Sequence, residues 1–109
     1  MAVYSPVRVT NAGITESLTA VGSSDTFTYP SGTVVVWMVV NNADAANNQV
    51  TVTSRADAAD GEFAANKSVV VGNGSIGVFR IGEAFIDGSG VVTVAHSNTT
   101  SNTAGVFYI

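Results

Sequence analysis

The sequence predicts an all-β fold, an antiparallel β-sandwich of jelly-roll-like or related topology. Three observations carry that reading. Val, Thr, Ser, Asn and Gly dominate, and strong helix formers other than alanine are sparse. Apolar and polar residues alternate with a period of two in one stretch after another. Turn chemistry recurs about every 8–12 residues, the punctuation of sandwiches and small barrels.

Taken in order, residues 1–12 read as an extended N-terminal arm, followed by a single domain over residues 13–109. Pro6 disfavours a central strand position. Val3, Tyr4, Val7 and Val9 give the arm apolar groups to bury, and Val7 and Val9 alternate with Arg8 and Thr10. Residues 14–21 fit either a strand or a short helical turn. Thr26, Phe27, Thr28 and Tyr29 form a strand ahead of the turn Pro30-Ser31-Gly32. Residues 34–40 are apolar throughout and read as a strand. Val50 and Val52 alternate with Gln49, Thr51 and Thr53. Residues 67–71 run into Gly72-Asn73-Gly74, where Asn-Gly takes positive φ readily, and residues 75–81 are expected to return antiparallel as a hairpin. Phe85 and Ile86 lead into Asp87-Gly88-Ser89-Gly90, then a strand over 91–96, and the apolar run 105–109 closes the chain. That makes roughly eight short strands. Residues 41–48, 54–66 and 97–104 read as loops.

Composition bounds the function. The 109 residues suffice for one domain, and 46% hydrophobic with 11% charged residues argues against disorder. No apolar run approaches the roughly 20 residues of a membrane-spanning helix. The opening Met1 to Pro6 shows no basic region followed by an apolar stretch, so no secretory signal is expected. Net charge is −4, and the four basic residues, Arg8, Arg55, Lys67 and Arg80, are scattered. Neutralising a phosphate backbone takes clustered Lys and Arg, so neither nucleic acid nor an anionic membrane surface is expected as a partner. Cysteine is absent, which excludes disulfide staples.

Residues that do chemistry are few. A hydrolase would need the sole histidine, His96, beside a serine and a carboxylate. No G-x-S-x-G elbow is present, and His96 follows Val92 and Val94 at strand spacing, as a packed or rim residue would. His96→Ala is therefore expected to cost no function. Asp57, Asp60 and Glu62 gather three carboxylates, an oxygen set that suits calcium. Their spacing departs from the alternating pattern of a calcium loop, so a solvated loop is the plainer reading. Gly72-Asn73-Gly74-Ser75-Ile76-Gly77 matches G-x-G-x-x-G in letters, but it follows a valine-rich strand and opens no helix. Tyr4, Tyr29, Trp37 and Tyr108 could form a sugar platform, although most of these rings sit within apolar strands. No catalytic residue, cofactor or metal is expected.

Residues 34–40 are the sharpest clue. At strand spacing Val35, Trp37 and Val39 share one face, and Val34, Val36, Met38 and Val40 the other. An antiparallel sandwich strand is ordinarily polar on its outer side. Here the outer side must be covered by the N-terminal arm, by a loop or by another subunit.

A resemblance adds to this reading. Leu18-Thr19-Ala20, Asp25-Thr26-Phe27 and Val39-Val40-Asn41-Asn42 form its first half. Val50-Thr51-Val52, Asp60-Gly61, Val69-Val70-Val71, Gly77-Val78-Phe79 and Gly90-Val91-Val92-Thr93-Val94 continue it. Together, from Leu18 to the C-terminus, the chain resembles the small capsid decoration (cement) proteins of tailed bacteriophages. The resemblance implies a β-sandwich bound to the outer surface of the phage head, often as a homotrimer, with the major capsid protein as partner. It implies no enzyme activity and no cofactor. In that setting Val3, Tyr4, Pro6 and Val7 of the arm and Asp57, Asp60, Glu62 and Phe63 of the acidic loop are the expected contact elements. Deleting residues 1–12 is then expected to weaken capsid occupancy without unfolding the sandwich. The alternative is a carbohydrate-binding or tail/fibre β-sandwich module, marked by an exposed aromatic row.

Overall fold

The computed structural model describes residues 1–10, 18–32, 35–54 and 66–109. About half of these lie in ten strands: β1 (Val3–Tyr4), β2 (Val7–Arg8), β3 (Thr19–Ala20), β4 (Ser24–Thr28), β5 (Val36–Asn42), β6 (Asn48–Val52), β7 (Lys67–Val71), β8 (Ile76–Arg80), β9 (Val91–His96) and β10 (Asn102–Tyr108). One 3-10 turn, Glu83–Phe85, is the helical element among the described residues. Asp57, Asp60, Glu62 and Phe63, expected as contact residues, lie outside the described residues, as does Val34.

The strands form two five-stranded sheets. The first runs β1-β4-β9-β6-β7, and the second runs β2-β10-β5-β8 with β3 also on β10. Between them lies a core of alternate, mostly β-branched residues, the type that packs well on a pleated surface. Val50, Val52, Val92, Val94 and Phe27 face inward from the first sheet, and Val36, Met38, Val40 and Val106 from the second. The expected sandwich is therefore present, with sheets that are mixed, because β1 pairs parallel with β4 and β2 parallel with β10.

Those two parallel pairs come from the N-terminal residues. β1 adds to the edge of the first sheet and β2 to the second, so the segment straps both layers along one side. Ala2 O accepts from Thr26 N–H at 3.0 Å and Tyr108 O from Val9 N–H at 2.7 Å. The Tyr4 ring is buried in the core. Deletion of residues 1–12 therefore removes two edge strands and a core aromatic, and the expectation that the sandwich survives it gives way.

The chain does turn at Gly72-Asn73-Gly74, with Gly74 at φ +67°, but not as the expected hairpin. β7 pairs with β6 in the first sheet and β8 with β5 in the second, so the turn arches from one layer to the other. The reason is packing: Val71 and Gly77 face each other across the core. A Cβ on Gly77 would lie 2.7 Å from Val71 Cγ2. Val71 is buried and stiff at χ1, so it cannot yield.

Gly77→Ala is accordingly expected to destabilise the fold by about 1–3 kcal/mol through overpacking. Gly82→Ala, where nothing lies within 4 Å of the new methyl and φ is −91°, should stay within about 0.5 kcal/mol. Urea unfolding of the two variants checks the contrast.

Candidate functional site

Two features stand out from the sandwich: a row of polar side chains inside it and an apolar sheet face outside it. The row begins at Asp25 on β4, fully buried. Both of its oxygens accept from Gly22 N–H at 3.0 Å, and Oδ1 also accepts from Ala2 N–H at 2.7 Å. Tyr4 O–H on β1 donates to Oδ2. The His96 ring, on β9, places Nε2 3.1 Å from the Tyr4 oxygen and Nδ1 3.1 Å from Asn48 Nδ2. Since the Tyr4 hydroxyl directs its hydrogen at Asp25 and an amide nitrogen only donates, Nε2 carries the hydrogen and Nδ1 accepts. The network thus selects the neutral Nε2–H tautomer.

From there the row crosses between the sheets. Asn48 on β6 donates to Asn102 Oδ1 on β10 at 2.9 Å, and Asn102 donates to Asn42 Oδ1 on β5 at 3.0 Å. Asn42 in turn donates to the carbonyls of Ala46 and Val71 at 2.9 and 3.0 Å. Among the described residues every buried side-chain N or O atom has a partner. A fully satisfied buried network adds specificity, whereas losing one member strands the others.

His96 is held below the ordinary histidine range, first by burial and against the opposing pull of the Asp25 carboxylate 3.5 Å away. Tyr4 is pushed far above the ordinary phenol range, first by burial and then by its bond to Asp25. Both groups are neutral in the folded protein. The carboxylate that a hydrolase reading requires is thus at the His96 ring, but the hydroxyl beside it is that of Tyr4, itself buried. Among the described residues no cluster of three or more His, Cys, Asp or Glu could hold a metal ion, and no helix is long and apolar enough to cross a membrane.

The second feature is the outer face of the second sheet. Register places Trp37 and Val39 of β5 beside Phe107 and Gly105 of β10 on one flank and Arg80 and Val78 of β8 on the other. Part of this face is covered from within the chain. A Cβ on Gly105 would meet Leu18 Cδ2 at 2.9 Å and the Phe107 ring at 3.3 Å, so both side chains lie over that glycine. Cover stops short of β8. Trp37 and Val39 are half-exposed, and Ile76 and Val78 are 65% and 62% exposed.

β8 is also a sheet edge. The bonds Ile81 N–H to Val36 O and Asn42 N–H to Ser75 O set the phase of its ladder with β5. The backbone groups of Ile76, Val78 and Arg80 therefore face away from β5. Lys67 Nζ on β7 caps the Arg80 carbonyl at 2.7 Å, which blunts one end of the edge. Among the described residues the rest presents free backbone polar groups flanked by large apolar side chains, a template for an added strand.

The expected contact residues fare differently. Val3 is exposed, Pro6 and Val7 are half-buried, and Tyr4 is committed to Asp25 and the core. These four lie together along the strap. The neck of the acidic loop is closed by Ser54 N–H donating to Asn66 Oδ1 at 2.8 Å. Sequence reasoning missed Ile76 and Val78, although their alternation with Gly77 and Phe79 was legible. It also missed Asp25, Asn42, Asn48 and Asn102, for which no local signal exists. Comparison of the chain with protein-family models, curated proteins and solved structures finds no match.

The polar row makes stability depend on pH. Because His96 binds its proton less readily when folded, its contribution is complete above the unfolded value of 6.5 and is lost as pH falls below it. Urea unfolding should show lower stability at pH 5.5 than at pH 8, with a smaller difference in His96→Gln. Tyr4→Phe strands the His96 Nε2–H and should cost about 1–3 kcal/mol at pH 7.

Proposed function

We propose that this chain is a structural protein of a phage virion, seated on the outer surface of the capsid through the open face formed by β5 and β8. The observation that carries the proposal is that face: Ile76 and Val78 exposed on an unpaired edge, continuous with Trp37 and Val39. Such a surface favours a protein partner because it combines apolar area with backbone groups awaiting strands. Two rigid sheets locked by an internal polar row suit a clamp that must transmit load. The resemblance of residues 18–109 to capsid decoration proteins supplies the partner, the major capsid protein, and a homotrimeric arrangement. Many copies on one lattice make a modest individual contact hold.

The alternative, a carbohydrate-binding or tail/fibre module, draws support from one feature. Tyr29 and Tyr108 line an open groove of about 320 Å³ with Pro6 and Pro30. Quenching of Trp37 by added glycans would favour that reading, though Trp37 lies on the sheet face and not in the groove.

Mass spectrometry of gradient-banded particles from the source tests the proposal, with on the order of hundreds of copies per particle expected for a lattice protein. Val78→Asp, at an exposed position, should leave stability within about 0.5 kcal/mol and abolish occupancy. Full occupancy by that variant, or absence of the protein from particles, would overturn the assignment.

A further inference from the structure

We propose that the edge of β8 receives an extended segment of its protein partner, paired antiparallel and carrying Asp or Glu ahead of two alternating apolar residues. The inference rests on reading β5 and β8 as the contact face, and deepens it by naming the chemistry of the occupant. The open backbone positions fix the register. Ser75 O and Ile81 N–H bond to β5, so at alternate positions Ile76, Val78 and Arg80 turn their backbone groups outward. Among the described residues only the Arg80 carbonyl is engaged there, by Lys67 Nζ at 2.7 Å. An antiparallel strand bonded to these positions sets one residue directly opposite each of Ile76, Val78 and Arg80, with side chains on the same outer face.

That face dictates the side chains. Ile76 and Val78 are 65% and 62% exposed and continue the apolar strip of Val39 and Trp37, so apolar residues opposite them gain by burial. Arg80 is exposed as well and lies beside Trp37 in the register. Lys67 crosses to it from β7, with Nζ bonded to the Arg80 carbonyl and 5.7 Å from the centre of the Phe79 ring. Two of the chain's four basic residues thus meet at one end of the edge, in a protein of net charge −4. Glu83, the next carboxylate along the chain, lies past the end of β8 in the 3-10 turn. A carboxylate opposite Arg80 completes a cross-strand ion pair, whereas Lys or Arg there meets two cations. In chain order the occupant reads Asp or Glu, any residue, apolar, any residue, apolar. A second copy of this chain pairing about Val78 would set Ile76 against Arg80 and supply no carboxylate, so the edge suits a different chain.

A tethered segment tests this on the full chain. Ile109 N–H bonds Val35 O and Ile81 N–H bonds Val36 O. The C-terminus therefore lies at the Arg80 end of β8, about 14 Å from an added strand at three strand spacings. A linker of about ten Gly and Ser residues spans roughly 17 Å and presents Glu-Thr-Val-Thr-Val to the edge in the antiparallel direction. Amide exchange at Ile76 and Val78 is the readout. At the millimolar effective concentration of the tether, this segment should slow both amides at least about twofold, and Lys-Thr-Val-Thr-Val should slow neither. Arg80→Glu should lose the slowing with the first segment and gain it with the second. Equal slowing by both segments on the unsubstituted chain, or by neither, would overturn the proposal. So would protection in the untethered chain that grows with its concentration, which gives the edge to a second copy. No particle enters these measurements: docking by a protein absent from particles would remove the capsid assignment alone, and particle occupancy without docking would remove this proposal alone.

Discussion

The structure depends on the buried carboxylate of Asp25. It gathers donors from three separate places in the chain: the strap at Ala2 and Tyr4, the backbone at Gly22, and, through Tyr4, the His96 ring at the end of β9. From His96 the hydrogen bonds continue through Asn48 and Asn102 to Asn42, joining the first sheet to the second. Apolar packing holds the two layers together but is indifferent to small slides between them. A row of directional bonds, each with a defined donor and acceptor, is not. Register across the sandwich is fixed at this end, and the strap is fixed with it.

That internal closure determines what is left for the outside. With β1 and β2 sealing one side, the strap is a structural part of the sandwich, and of its four expected contact residues only Val3 is exposed. Among the described residues the opposite side, where β7 and β8 are the sheet edges, is sealed only where Lys67 reaches across to the Arg80 carbonyl. The apolar strip from Trp37 to Ile76 follows from this asymmetry. One flank of the second sheet is covered from within by Leu18 and Phe107, and on the other Ile76 and Val78 are exposed. A protein built to sit on a larger lattice gains from such a division, because the contact face can be apolar while the fold does not depend on its being covered.

Much of the fold was legible because strand periodicity and turn chemistry are local. The alternation of Val50 and Val52, the turns that contain Gly32, Gly74 and Gly90, and the continuous apolar character of residues 34–40 all announced themselves. Which sheet a strand joins is not local. The turn at Asn73-Gly74 reads as a hairpin until the contact between Val71 and Gly77 places its strands in different layers. The polar row was illegible for the same reason. Asp25, Asn48 and Asn102 look like ordinary strand-end residues, and only tertiary pairing brings them to His96. The arm's apolar residues correctly signalled burial, and Tyr4 shows that they are buried in this chain's own core.

Amide hydrogen exchange of the free chain measures the internal strap and the external β8 edge at once. The amide of Thr26 bonds to Ala2 O and that of Val9 to Tyr108 O, so each is protected only while the strap is docked. The amides of Ile76 and Val78 face the open edge. Slow exchange at Thr26 and Val9, matching the core strands, with fast exchange at Ile76 and Val78, is the predicted result. Fast exchange at Thr26 and Val9, or protection of Ile76 and Val78 in the free chain, would contradict it.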